Sequence, residues 1–168
     1  MRWAVAVAMV LAGARAAAAH DAKPRRTLEV RQRGASVDVV LVAIEEGEQA
    51  RALRERADAD RDGRLTRAER MRLCELAIVL AYAQLHLQSR GEAVTVGAPA
   101  MQAAPGSEVG MAPVVARARW RRKLDLRGRT LVVVSEGAVP VTVLVKNAGG
   151  KLVAQGVASR GHELVLTL

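Results

Sequence analysis

Residues 58–69 read Asp-Ala-Asp-Arg-Asp-Gly-Arg-Leu-Thr-Arg-Ala-Glu, and this run constrains the architecture more than any other part of the chain. Asp58, Asp60 and Asp62 stand at its positions 1, 3 and 5, so their carboxylates converge on one point as the backbone curls, and Gly63 at position 6 permits the sharp turn. The carbonyl of Arg64 at position 7, the hydroxyl of Thr66 at position 9 (directly or through a water) and both carboxylate oxygens of Glu69 at position 12 complete a shell of hard oxygen donors. Helix is predicted on both sides. Residues 48–57 are rich in Ala, Arg, Leu and Glu, with Ala50, Leu53 and Ala57 on one face. Thr66 and Glu69 form an S/T-x-x-E capping box that opens a second helix over 67 to about 82, with Leu73, Leu76, Ala77 and Leu80 at helical spacing. The last turns of that helix are apolar all round, which predicts burial against a sheet.

The run matches D-x-[DN]-x-[DN]-G-x5-E in full and carries the apolar Leu65 at position 8, so the sequence resembles the EF-hand family. That resemblance implies a helix-loop-helix over about 46–83 that binds calcium through Asp58, Asp60, Asp62, Arg64, Thr66 and Glu69. Two departures reduce the local core: Ala57 stands where the family usually has a large aromatic, and Arg70 where it often has an apolar residue. EF-hands normally pair through a short strand contact between loops, yet the sequence holds no second D-x-D-x-D-G run. Pairing is left to a degenerate partner, a second molecule or the rest of the domain. Arg56, Arg61, Arg64, Arg67 and Arg70 crowd the anionic ligands and oppose a divalent cation, moving the expected affinity towards about 10⁻⁴ to 10⁻³ M.

The remainder reads as β-structure. Aromatic residues make up 2% of the chain and phenylalanine is absent, so the core must be built from Val, Leu, Ile and Ala. Residues 27–33 and 36–44, separated by Gly34-Ala35, predict a hairpin that runs into acids at 45–48 suited to a helix N-terminus. Further strands are predicted over 85–88, 93–96, 114–126, 130–135, 139–146, 151–158 and 162–168, with an irregular stretch rich in Ala, Gly, Pro and Ser over 97–113. The expected fold class is α+β: an antiparallel β-rich sheet or sandwich, with the helix-loop-helix inserted between strands. Residues 147–151 read as a hairpin turn, since they lack the first glycine of a phosphate loop and any Ser or Thr after Lys151.

The N-terminus predicts export. Met1-Arg2 is a short positive region, residues 3–13 are apolar but too few to span a bilayer, and Ala17-Ala18-Ala19 offers an A-x-A cleavage site. Removal of this signal peptide, residues 1–19, leaves 149 residues as a single domain over 20–168 and lowers the net charge from +9 to +7. The expected location is periplasmic or secreted. No other apolar stretch is long enough for a membrane span. His20 would become the first residue, where its amine and imidazole together suit copper or nickel. Cys74, the one cysteine, cannot form an internal disulfide and is expected to be a buried, inert thiol.

In a strand, Arg117, Arg119 and Arg121 share one face while Ala116, Ala118 and Trp120 share the other, with Arg122 and Lys123 following and Arg127 and Arg129 beyond. For an exported chain this basic segment suits an acidic protein, an acidic polysaccharide or lipid headgroups, and not nucleic acid. His20, His86 and His162 match no ligand spacing and no catalytic set is evident, so no enzyme is expected. The order of elements, strands then D-x-D-x-D-G helix-loop-helix then strands after a signal peptide ending before histidine, resembles the exported N-terminal region of HupE/UreJ-type nickel and cobalt permeases. That resemblance implies transition-metal handling, although their transmembrane segments have no counterpart here. The function expected from the residues is an exported protein with one structural calcium ion.

Overall fold

A computed structural model describes residues 23–94, 97–106, 108–110 and 112–168. Residues 1–19, expected above to be a signal peptide, and His20 lie outside them. Alternating apolar residues form the frame: β1 (Arg25–Arg33) and β2 (Ser36–Glu45) are an antiparallel hairpin whose register closes at Arg33 opposite Ser36. Leu28 and Val30 on β1 and Val37, Val39, Leu41 and Ala43 on β2 are buried, which fixes which face turns inward. The chain then enters α1 (Gly47–Ala57) and α2 (Arg67–Tyr82), joined by residues 58–66. After these come β3 (Leu85–Ser89), β4 (Glu92–Ala93), β5 (Ala100–Met101), β6 (Val114–Lys123), β7 (Thr130–Ser135), β8 (Val141–Lys146), β9 (Leu152–Ala158) and β10 (Leu164–Thr167).

The strands form two sheets, one of order β5-β6-β2-β1-β8-β9 and one of order β10-β7-β3-β4. This is an α+β fold with mostly antiparallel pairing. The departure from the antiparallel expectation is β1 with β8, which run parallel. The physical reason is the crossover: β7 pairs with β3 in the smaller sheet, so β8 returns to the larger sheet from the opposite end to a hairpin partner.

α2 lies on the inner face of β6 and β2 and buries Leu73, Cys74, Ala77, Ile78 and Ala81. Ala116 and Ala118 on β6 are small enough to let the helix approach closely, and Trp120 stacks at a tilt on Tyr82 with ring centroids 5.4 Å apart. Burial of the helix end is incomplete, because Val79 remains 64% exposed on the outer side. The strand expected over 114–126 stops at Lys123, where Asp125 turns to the Arg127 amide at 3.0 Å. The strand expected from 139 starts at Val141, after Pro140. The stretch over 97–113 is not wholly irregular, since β5 pairs with β6 opposite Arg119 and Ala118.

Candidate metal centre

The loop between the helices is positioned from both ends. Upstream, α1 has Glu48 in its first turn and Arg54 and Arg56 in its last, each suited to its end of the helix dipole. The helix closes where the Asp58 amide donates to the Arg54 carbonyl at 2.9 Å. Downstream, α2 opens on the capping box read from the sequence. The Thr66 hydroxyl accepts from the Glu69 amide at 3.3 Å, and Glu69 Oε2 accepts from the Thr66 amide at 2.8 Å.

Glu69 does more than cap. Its Oε2 also accepts from the Thr66 hydroxyl at 2.8 Å, and its Oε1 accepts from the Ala59 amide at 2.7 Å, so one carboxylate ties the start of the loop to its end. The amide hydrogen bonds from Thr66 and Ala59, followed by the Thr66 hydroxyl, hold the Glu69 carboxyl below its usual range. Within the curl, Asp58 Oδ2 accepts from the Gly63 amide at 3.1 Å, Asp60 Oδ1 from the Asp62 amide at 3.3 Å and Asp62 Oδ1 from the Arg64 amide at 2.7 Å. Arg61 (φ 60°) and Gly63 (φ 80°) both take the left-handed conformation that bends the backbone around these carboxylates; glycine takes it without strain.

The result is a triad. Carboxylate oxygens of Asp58, Asp60 and Glu69 all lie within 4.8 Å of one another. Asp58 and Glu69 are each 8% exposed, whereas Asp60 is open to solvent. The Asp60 carboxyl is raised: the Asp62 amide is the largest single influence and lowers it, but burial and the nearby Asp62, Glu69 and Asp58 groups together outweigh it. Asp58 Oδ1 is buried and has no hydrogen-bond partner. A buried carboxylate oxygen left so, beside two other acids, is an unfavourable arrangement for a chain with no cation to offset it.

Of the six expected ligand residues, Asp58, Asp60 and Glu69 converge, and the Thr66 hydroxyl is bonded to a member of that triad. Asp62 and Arg64 are exposed, Asp62 being turned onto the Arg64 amide and outside the triad. Leu65 at position 8 is 3% exposed and anchors the loop to the common core.

The structure also places residues that the sequence reading passed over. Arg64 forms an isolated antiparallel bridge with Glu108, and the Val109 amide donates to the Gly63 carbonyl at 3.1 Å. Arg54 is 2% exposed, and its guanidinium donates to the carbonyls of Glu108, Ala112 and Pro113 at 3.2, 3.3 and 3.1 Å. The signal was present, because Arg54 completes the i, i+3, i+4, i+7 stripe of Ala50, Leu53 and Ala57 and must therefore be buried. Deep in the core, Arg26 and Glu45 form an ion pair at 3.6 Å, and burial pushes the Glu45 carboxyl up against the opposing influence of Arg26.

On β6 the arginines alternate as expected, with Arg117, Arg119 and Arg121 outward and Ala116, Ala118 and Trp120 buried. Asp38, an acid near the start of the Val-rich β2, is 3% exposed and binds Arg33, Arg119 and Arg121 at 2.8, 2.9 and 2.7 Å. Its carboxyl is held low, chiefly by the Arg121 hydrogen bond. Cys74 is fully buried, burial pushes its thiol up, and its weak contact is to the Arg117 carbonyl at 3.8 Å. His86 stands on the exposed side of β3 beside Glu136 at 3.3 Å.

No protein-family model matches this chain, and no curated protein matches it. Both resemblances stated above therefore rest on the residues and the order of elements alone.

Proposed function

We propose that this chain is a calcium-binding protein, exported to the periplasm or beyond, in which an EF-hand-type helix-loop-helix set into a β-sandwich holds one ion as a structural fastener. The observation that carries this reading is Asp58 Oδ1, buried and unpartnered, in a triad with Asp60 and Glu69 whose oxygens lie within 4.8 Å of one another. Three carboxylates that close repel one another, and a divalent ion would turn that repulsion into attraction. Asp58, Asp60 and Glu69 would hold it, with the Thr66 hydroxyl and the Arg64 carbonyl as neutral donors and Asp62 recruited by rotation from the Arg64 amide. Oxygen-only donors suit calcium better than nickel or copper, which disfavours a transition metal at this loop. A structural role is favoured over a sensor because the buried residues of α2 already pack on β6 and β2, so no covered apolar groove is held in reserve. The chain is proposed to act by binding and not by catalysis.

The alternative, recognition of an acidic partner through Arg117, Arg119, Arg121, Arg122 and Lys123, is weakened by Asp38, which engages both Arg119 and Arg121. Isothermal calorimetry on residues 20–168 with calcium, nickel and copper, repeated on Glu69→Gln, tests the proposal. Calcium binding with a Kd of about 10⁻⁴ to 10⁻³ M that Glu69→Gln abolishes is expected. Equal affinity in the two proteins, or nickel bound in preference to calcium, would overturn it.

A further inference from the structure

A single hand lacks the second loop that normally pairs with it, and this chain supplies the pairing from its own interior. Between β5 and β6 the backbone touches all three parts of the helix-loop-helix. The Ala104 amide donates to the Arg70 carbonyl in α2 at 3.1 Å. Glu108 and Val109 pair with Arg64 and Gly63 in the loop, and the carbonyls of Glu108, Ala112 and Pro113 receive the Arg54 guanidinium from α1. We propose that this segment is the surrogate partner of the ion loop, and that Arg54 is a positioning residue coupling calcium affinity to the segment's attachment. The inference rests on the calcium reading of the loop.

Arg54 has an unusual position. Its side chain is buried, and among the described residues no ion pair to an acid is found for it, so three backbone carbonyls carry the compensation of its charge. Burial alone lowers its basicity, as expected for a cation held by neutral dipoles. If the segment were to leave, that charge would lose its three carbonyl partners. The same residue holds the first ligand, because its carbonyl accepts the Asp58 amide at 2.9 Å. The segment is shaped to fit: Gly106, at φ +87°, lies against the guanidinium, and a Cβ there would meet Nη1 at 3.4 Å. The segment is thus attached through the side chain of Arg54 and the first ligand through its backbone carbonyl, so both are referred to one residue of α1. By linkage, an ion that fixes the loop must strengthen the segment's attachment by the factor with which that attachment strengthens the ion.

The direction of the Arg54 effect separates this coupling from simple electrostatics. Removing a cation near an ion site should, by charge alone, tighten calcium binding. The proposal requires weakening, by about fivefold or more, the lower end of typical coupling between sites. The experiment is calcium titration of the parent, Arg54→Met and Val109→Pro, together with amide exchange of Val109 in calcium and in chelator. Val109→Pro deletes the amide that donates to Gly63 and leaves every proposed ligand and Arg54 in place. Weaker binding in both variants, and a parent Val109 amide that exchanges more slowly with calcium, are expected. Parent-like or tighter binding in Arg54→Met overturns the coupling while leaving the calcium site intact. Should either variant fail to fold, the parent decides alone, and a Val109 amide indifferent to calcium overturns the proposal. A parent that binds no calcium overturns the underlying reading as well, which distinguishes the two failures.

Discussion

Replacing Asp58 by asparagine is expected to raise stability without calcium and to remove the response to calcium. In the chelated protein the Asp58 carboxylate sits within 4.8 Å of oxygens from Asp60 and Glu69, and its Oδ1 is buried without a partner. Asparagine keeps an oxygen for the Gly63 amide, while its new amide group can donate to the neighbouring carboxylates. Removing one charge from the cluster relieves on the order of 1 kcal/mol in total after solvent screening, which for a domain of this size is a rise of about 2–4 °C in Tm. In calcium the order reverses. At a hundredfold excess over Kd the parent gains about 2.7 kcal/mol, or roughly 5–11 °C, and the asparagine variant gains nothing. Thermal melts of both proteins in chelator and across a calcium series should therefore cross. If Asp58→Asn melts below the parent in chelator, the carboxylate is serving the fold and the repulsion argument fails. If the variant keeps its calcium shift, the site lies elsewhere.

Three further outcomes follow from the same geometry. Arg61→Asn removes a positive charge between Asp60 and Asp62 at a left-handed position that asparagine tolerates, so calcium binding should tighten by about two- to fivefold at low salt and by less at high salt. Titration at two ionic strengths checks this, and an unchanged low-salt affinity would count against it. Because the Asp60 carboxyl is raised, the Asp62 amide being outweighed by burial and the acids around it, it should take up a proton at a higher pH than an ordinary aspartate. Calcium binding in acidic buffer should then release protons, detectable as a buffer-dependent heat that fades as the pH rises to neutral; the absence of any such release would refute the assignment. Asp38, whose carboxyl is depressed by Arg121 and Arg119, contributes stability that is full above its unfolded pKa and is lost as pH falls through its folded one. Asp38→Asn should therefore lower Tm at pH 7, with the gap closing as pH falls below the ordinary aspartate range, and a gap independent of pH would remove the ion cluster as its cause.

What could be read beforehand was governed by how local the determinants are. The two helices, the β1–β2 hairpin and the capping box depend on contacts a few residues apart, and 27–33, 36–44, 48–57 and 67–82 match the observed elements to within two residues at each end. The three converging acids were legible for the same reason, since a twelve-residue pattern contains its own turn. The sheet order was not, because the β1–β8 and β3–β7 pairings join residues whose side chains carry no record of each other. Nor was the segment facing the loop: Glu108 and Val109 contribute backbone groups, which every sequence offers equally. Arg54 and Asp38 were visible as charged residues in apolar stripes, but apart from Arg33 on the neighbouring strand their partners were a carbonyl cluster and two arginines some eighty residues from Asp38.

The parallel seam between β1 and β8 sets the order in which the molecule can be completed. β1 is an interior strand, yet its second neighbour spans residues 141–146, so one side of the N-terminal hairpin has no partner until most of the chain has left the ribosome. The helix-loop-helix is made early but braced late, by Ala104, Glu108, Val109, Ala112 and Pro113 and by β6. Pairings this distant in sequence make for slow folding, and interactions that form after the rate-limiting step act mainly on unfolding. An ion bound at residues 58–69 should consequently leave the folding rate nearly unchanged and lengthen the lifetime of the finished protein.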